Sequence, residues 1–178
     1  MRYDGVMTDA SQPLSAEESA AWVRLIAVAQ LLPVALDAQL QRDHGLTHFE
    51  YVALMALADS PGRTMRMTEL ASRTNATLPR LSHVARRLEE RGLIRRFPCP
   101  EDRRATNATI TESGLRLLIE SGPGHIDTVR DLVIDALTPT QLEQLYEIAG
   151  AVLSRLDPEA RLSASSCQFS EGQVLQAG

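Results

Sequence analysis

The chain has 178 residues, 44% hydrophobic and only 4% aromatic, with a formal net charge of −5. That length suits one domain or a compact pair, and an interior drawn from Leu, Ala, Val and Ile is the palette of a mainly helical protein. Two cysteines, Cys99 and Cys167, lie far apart, so no disulfide framework is implied and two free thiols in a cytoplasmic chain are expected.

The opening "MRYDGVMTDASQP" carries acids and no apolar core, unlike a secretory signal, and Met7 is an alternative start. "SAEE" (15–18) offers Ser15 as a helix N-cap with Glu18 closing a capping box. Trp22, Leu25, Ile26, Ala29, Leu32, Leu36 and Leu40 follow at helical spacing. Pro33 interrupts this pattern and predicts a kink or a split, because it removes a backbone donor and crowds the preceding turn. The longest apolar run, 25–36, is shorter than the ~20 residues of a membrane span. Gly45 is a natural stop for the segment.

"THFE" (47–50) is a second capping box and predicts a helix through Ala58. Thr68 is placed as the cap of "ELASRTN", and Thr77 as the cap of the helix "LPRLSHVARRLEERG", with Pro79 in its first turn and Gly92 after its end. Leu78, Leu81, Val84, Ala85 and Leu88 form its apolar stripe, with arginines and His83 away from the stripe's centre. "LIRRF" (93–97) and "ATNATI" (105–110) alternate as two strands around a stiff loop, "PCPEDRR". Thr111 caps the next helix, and "GPG" (122–124) predicts a bend or break in it. "TPTQ" (138–141) starts a last helix that runs to Leu156. Residues 157–178 are polar and aperiodic, a flexible tail.

Charge is unevenly spread. All 18 basic residues are arginine, as a GC-rich coding sequence produces, so the absence of lysine is not evidence of phosphate binding. Between Arg63 and Arg104, however, eleven arginines face five acids, whereas the remainder holds seven arginines and eighteen acids. A basic block inside an acidic frame is the electrostatic footprint of a nucleic-acid-binding module.

Helix, helix, short helix, turn, helix, hairpin is the order of a winged helix-turn-helix. The residues that fill it resemble the MarR family of transcription regulators. The resemblance rests on Leu70 and Ala71 in the short helix, and on Leu88, Glu89, Arg91, Gly92 and Leu93 at the end of the recognition helix. Asp102 and Arg104 in the wing, and Ile110, Thr111 and Gly114 after it, complete the pattern. The expected fold is mainly α, with a two-strand wing. The winged helix-turn-helix spans 46–110, flanked by long dimerisation helices at 15–45 and 111–156. Leu78 and Pro79 depart from the small polar residues more usual at their positions, so the bases read do not carry over.

The resemblance implies a homodimer on double-stranded DNA with a pseudo-palindromic operator. It also implies a small aromatic or anionic effector, no cofactor and no membrane. The expected reader of a narrow minor groove is Arg104 at the stiffened wing tip, oriented by an ion pair with Asp102, with Arg103 on a phosphate. A hairpin-closing Asp-Arg turn is the alternative role for that pair. On the recognition helix Thr77, Arg80, Ser82, His83, Arg86 and Arg87 are the candidates, Arg80 for base edges and Arg86 and Arg87 for phosphates or simply a solvated face. Ile126, Leu132, Leu142, Leu145, Ile148, Val152 and Leu156 are expected in a dimer seam or in the core. Trp22, His44, His48 and Arg66 are the candidate effector liners, with Trp22 alternatively in the core. His44 precedes its helix, so the His44/His48 spacing does not make a metal site. No phosphate loop, serine elbow or ligand-spaced cysteines point to an enzyme. The rival reading is a winged-helix adaptor that binds protein without reading DNA sequence.

Overall fold

A computed structural model describes residues 12–162; Met7, Cys167 and residues 163–178 of the expected tail lie outside the described residues. The chain divides into two compact units, Met1–Val34 and Ala35–Gly178.

The described part of the first unit is the N-terminal stretch of helix α1 (Ala16–His44). Ser15 and Glu18 close the expected box: the Ser15 Oγ accepts from the Glu18 backbone N–H at 3.1 Å, and the Ser15 N–H donates to Glu18 Oε2 at 2.7 Å. Trp22, Val23, Leu25, Val28, Leu31 and Val34 are all at least half exposed, so Trp22 is not a core residue of this chain. The predicted split at Pro33 does not occur, since α1 runs through it; one missing backbone donor is too small a loss to end so long a helix. The unit boundary nevertheless falls directly after this proline, at Val34. Continuity also revises the membrane estimate. With small residues extending the apolar run, α1 is long and apolar enough to cross a membrane by length and composition, with a mean hydropathy of 1.7 over an 18-residue window.

In the second unit, α2 (His48–Ala58) starts as predicted, with Thr47 Oγ accepting from Glu50 N and Glu50 Oε2 accepting from Thr47 N. A tight turn through Gly62 and Arg63, both at positive φ, leads into strand β1 (Thr64–Arg66), which the sequence reading did not anticipate. Three residues are too few to show alternation. Helix α3 (Met67–Arg73) follows at once, so Thr68 is not its cap; Arg66 occupies that position and makes no side-chain cap bond. Asn75, at φ 48, makes the turn into α4 (Leu78–Glu90), a conformation that asparagine tolerates. Thr77 caps α4 and Gly92, at φ 69, ends it.

Strands β2 (Ile94–Pro98) and β3 (Thr106–Ile110) form the wing hairpin, and β1 adds to the far side of β3. The sheet is therefore three-stranded and antiparallel, in the order β1-β3-β2. The core is one cluster gathered from every element around it. Leu40, Leu46, Tyr51, Leu54, Leu57, Leu70, Leu81 and Leu88 are all within 1% of full burial.

Helix α5 (Glu112–Val129) is capped by Thr111, whose Oγ also donates to the Gly92 carbonyl. Gly114 lets it lie against the base of the wing, where a Cβ would run into the Leu93 carbonyl oxygen. The predicted break at 122–124 is absent. Pro123 forfeits one donor, and flanking glycines remove side-chain crowding; a Cβ on Gly124 would sit 3.3 Å from Gln39 Nε2. The irregularity comes later, as a π turn at Arg130–Ile134. Helix α6 (Pro139–Leu156) starts on the predicted Thr138–Gln141 box. Asp157 then closes a short turn, accepting from Leu162 N at 2.7 Å.

Where α2 meets α5, His125 is 7% exposed, its ring 4.6 Å from that of Tyr51 and stacked 5.7 Å from that of His48. Burial, with His48 beside it, pushes His125 down to about 4. Burial lowers His48 as well, against the opposing pull of Asp37, which accepts from the His48 N–H at 2.9 Å. A depressed histidine means the unfolded chain binds the proton first, so stability is lost as pH falls from about 6.5 towards 4. His125→Leu is expected to remove on the order of 2 kcal/mol of that acid-side loss by pH 4.5, read from urea midpoints of the two proteins across pH. An unchanged pH slope would contradict this role.

Candidate nucleic-acid interface

The recognition helix α4 is strongly two-faced because its apolar residues recur at helical spacing. Leu81, Ala85 and Leu88 are buried, and arginines occupy the other side. The wing hairpin stands beside it because Glu89 grips β2. Its carboxylate accepts from the Arg96 backbone N–H at 2.8 Å and from the Arg96 guanidinium at 2.7 and 2.9 Å. These bonds, the backbone one first, hold the Glu89 carboxyl below its ordinary range. Adjacent residues on a strand face opposite ways, so Arg96 turns to Glu89 while Arg95 turns outward, 5.2 Å from the Phe97 ring.

The wing tip is a tight loop. The Arg104 backbone N–H donates to Asp102 Oδ1 at 3.0 Å, and Ala105 N–H donates to the Asp102 carbonyl at 2.8 Å. Asp102 therefore orients the backbone of Arg104; among the described residues no ion pair joins their side chains, which corrects that expectation. An aspartate followed by a turn residue is better placed to bond the backbone two residues on than a long, solvated guanidinium. Arg103 and Arg104 are exposed, and their guanidinium groups have no acidic partner among the described residues.

The candidates on α4 divide by what they touch. Arg80, in the first turn, lies 4.7 Å over the ring of Phe49, an orientation that cation–π attraction favours. Thr77 is exposed, with its hydroxyl spent on the cap. Ser82 is half-buried and faces the wing. His83 is exposed, and its Nδ1 lies 3.1 Å from Arg86 Nη2, so those two act as one polar group. Arg87 is different: its Nη2 reaches Glu50 Oε1 at 3.5 Å, and Arg91 Nη1 reaches Glu50 Oε2 at 3.8 Å and the Gly45 carbonyl at 3.0 Å. Glu50, fully buried in α2, thus ties the recognition helix to the core. Nothing in the spacing of "THFE" beyond its capping box signals this, because the partner arginines lie some 37 and 41 residues downstream.

One residue leaves its predicted place. Leu78 was expected in the buried stripe, yet it is 42% exposed, because the first turn of α4 projects beyond the core. It borders a cleft of about 170 Å³ between α4, α3 and the wing.

Of the candidate effector liners, the three in the second unit, His44, His48 and Arg66, are not gathered at one site. Trp22 lies in the first unit, 54% exposed. His44 is half-buried at the end of α1, and His48 packs on His125. Arg66 belongs to the wing base, with its Nη2 3.8 Å from Cys99 Sγ and 3.7 Å from Glu101. Cys99 is buried there; the Glu101 and Asp102 backbone N–H groups, then Arg66, hold its thiol below its ordinary value. A concavity of about 450 Å³ between α1 and the π turn is lined instead by Gln39, Arg42, Asp127 and Asp131 among others. Among the described residues no group of His, Cys, Asp and Glu is placed to hold a metal ion.

A short brace helix, a two-faced helix presenting arginines and a clamped hairpin beside it define a winged helix-turn-helix. Residues 46–106 match the MarR family. The chain is similar to Sco3205 of Streptomyces coelicolor, a MarR family transcriptional regulator solved in complex with DNA. The two are 46% identical, with a TM-score of 0.80 over 85% of this chain and 94% of that one. AbsC, another MarR family regulator of Streptomyces coelicolor, is 36% identical, with a TM-score of 0.76 over 82% and 98%. The transcriptional repressor MprA of Escherichia coli is 34% identical over 118 residues, an alignment that spans 64% of the length of each protein. The chain belongs to the MarR family of transcriptional regulators.

Proposed function

We propose that this chain binds pseudo-palindromic operator DNA as a homodimer and represses transcription until a small-molecule effector releases it. The observation that carries the reading is the pair of exposed arginine sets, on α4 and at the wing tip, fixed to one another through Glu89 and Arg96. An adaptor that binds protein needs no such doubled cationic surface. Sco3205, similar over nearly its whole length, was solved on DNA, and MprA is a repressor.

In this reading Arg80, Ser82, His83 and Arg86 face the major groove, Arg87 braces the helix from behind, and Arg103 and Arg104 engage backbone and minor groove. Thr77 and Asp102 set the ends of these elements. Homodimerisation explains a feature that one copy leaves costly. Leu142, Leu145, Ile148, Val152 and Leu156 of α6 are exposed, as are the apolar residues of α1, and a second copy covers such faces without a bilayer. Two reading heads then reach major grooves one helical turn, ~34 Å, apart. The chain works in the cytoplasm, where its DNA is. The effector is a small aromatic or anionic molecule, the class that the resemblance implies.

Fluorescence anisotropy with the duplex upstream of the chain's own gene, beside an unrelated duplex, tests the proposal. The expected result is two chains per duplex and a clear preference for the upstream DNA across a salt series. Equal binding to both duplexes, abolished together by salt, would transfer the weight to the adaptor.

A further inference from the structure

We infer that Leu78 is a specificity-determining residue that reads the C5-methyl group of a thymine in the major groove. The inference rests on the DNA-reading function proposed above and adds the class of base edge recognised.

Leu78 and Pro79 begin the recognition helix, the part of a helix-turn-helix that reaches base edges. Leu78 is 42% exposed on a face of α4 that also presents Thr77, Arg80, His83 and Arg86. Leaving a leucine in water there stabilises nothing in the free chain. Pro79 supplies no backbone donor, and Leu78 supplies no side-chain donor or acceptor, so neither can answer the hydrogen-bonding pattern of guanine, cytosine or adenine. The one apolar group on a major-groove base edge is the C5-methyl of thymine, shared among modified bases by 5-methylcytosine.

The surroundings fit that occupant. The 170 Å³ cleft beside Leu78 sets apolar Met67, which is buried, and Ala105 beside Thr68, Ser82, Arg96 and Arg104. Ser82 lies four residues after Leu78, on the same side of the helix. Leu78 and Met67 offer an apolar contact for a methyl group, and the polar residues around them suit the phosphodiester next to it. An isolated phosphate would leave Leu78 in contact with charge.

The test is a thymine-by-thymine replacement with deoxyuridine in the preferred duplex, measured with wild type and Leu78→Ala by anisotropy. Deoxyuridine deletes only the methyl and preserves base pairing. At one thymine per half-site, wild type is expected to bind about fourfold more weakly, the ratio that burial of one methyl group corresponds to. Leu78→Ala is expected to bind the native duplex more weakly and to be indifferent to that replacement. Leu78→Met, which keeps an apolar side chain of similar volume, should retain the sensitivity. Melting temperature should change little, because much of Leu78 already lies in water in the free chain. Sensitivity in wild type that persists undiminished in Leu78→Ala overturns the assignment, as does wild type that ignores every replacement. If cytosine methylation strengthens binding while deoxyuridine is neutral, the methyl read is not thymine's and the assignment also falls. Failure to prefer any duplex would sink the DNA-reading function itself, an outcome distinct from specific binding that ignores the methyl.

Discussion

Arg104→Ala weakens binding to the preferred duplex by about tenfold for each wing engaged, and up to about a hundredfold for a dimer using both. The magnitude follows from what the side chain has to give up. Arg104 is exposed and its guanidinium has no acidic partner among the described residues, so its charge is available to DNA without first breaking an internal ion pair. Its backbone N–H is already bonded to Asp102, which reduces the ordering cost of binding. A guanidinium that enters a narrow minor groove senses the groove's width, so the loss should be greatest on duplexes with A·T-rich flanks. Thermal stability should be unchanged, because no packing is lost. Anisotropy titrations of the two proteins on one duplex, with flanks exchanged, check the result; equal affinities would remove the wing from recognition.

Glu50→Ala has the largest expected effect on folding, a loss of about 3 kcal/mol, read from chemical denaturation midpoints. Three things go at once. The cap of α2 loses the acceptor for the Thr47 N–H, worth about 1 kcal/mol. Arg87 and Arg91 lose the buried carboxylate that draws them onto α2. A methyl group then replaces a fully buried side chain and leaves space behind. Breaking one side of a buried ionic cluster is costly because the remaining charges keep their desolvation and lose their partner. Both arginines retain partial access to water, which keeps the loss at the lower end of that range. Glu50→Gln keeps an acceptor for Thr47 and should fall between Ala and wild type. A change below about 1 kcal/mol for Glu50→Ala would show that the tie between α2 and α4 is not structural.

What was legible in the sequence were features with short-range chemical causes. Capping boxes at Ser15, Thr47 and Thr138, the proline-led start of α4 and its glycine end are set by hydrogen bonds within four residues, and all appear. Features that depend on tertiary partners were not. β1 exists because β3 offers it an edge, and three residues carry no periodic signal of their own. Pro33 and the "GPG" segment read as a kink or split and a bend or break; neither ends its helix, because one lost backbone bond is small beside a helix otherwise intact on both sides. Arg87 looked like any other arginine on α4 until Glu50 was placed behind it. The stripe including Leu78 was right in period and wrong at its first member, because periodicity does not tell where a helix runs off the core.

In the proposed function, α4 and the wing of each protomer read adjacent grooves of one duplex. Hydroxyl-radical footprinting of the preferred duplex tests it most directly, since cleavage reports protection of each sugar along the backbone. The account predicts two protected patches related by a two-fold axis, about one helical turn apart, each flanked by a minor-groove protection that Arg104→Ala removes. A single continuous footprint, or protection unaltered by the loss of Arg104, would contradict it.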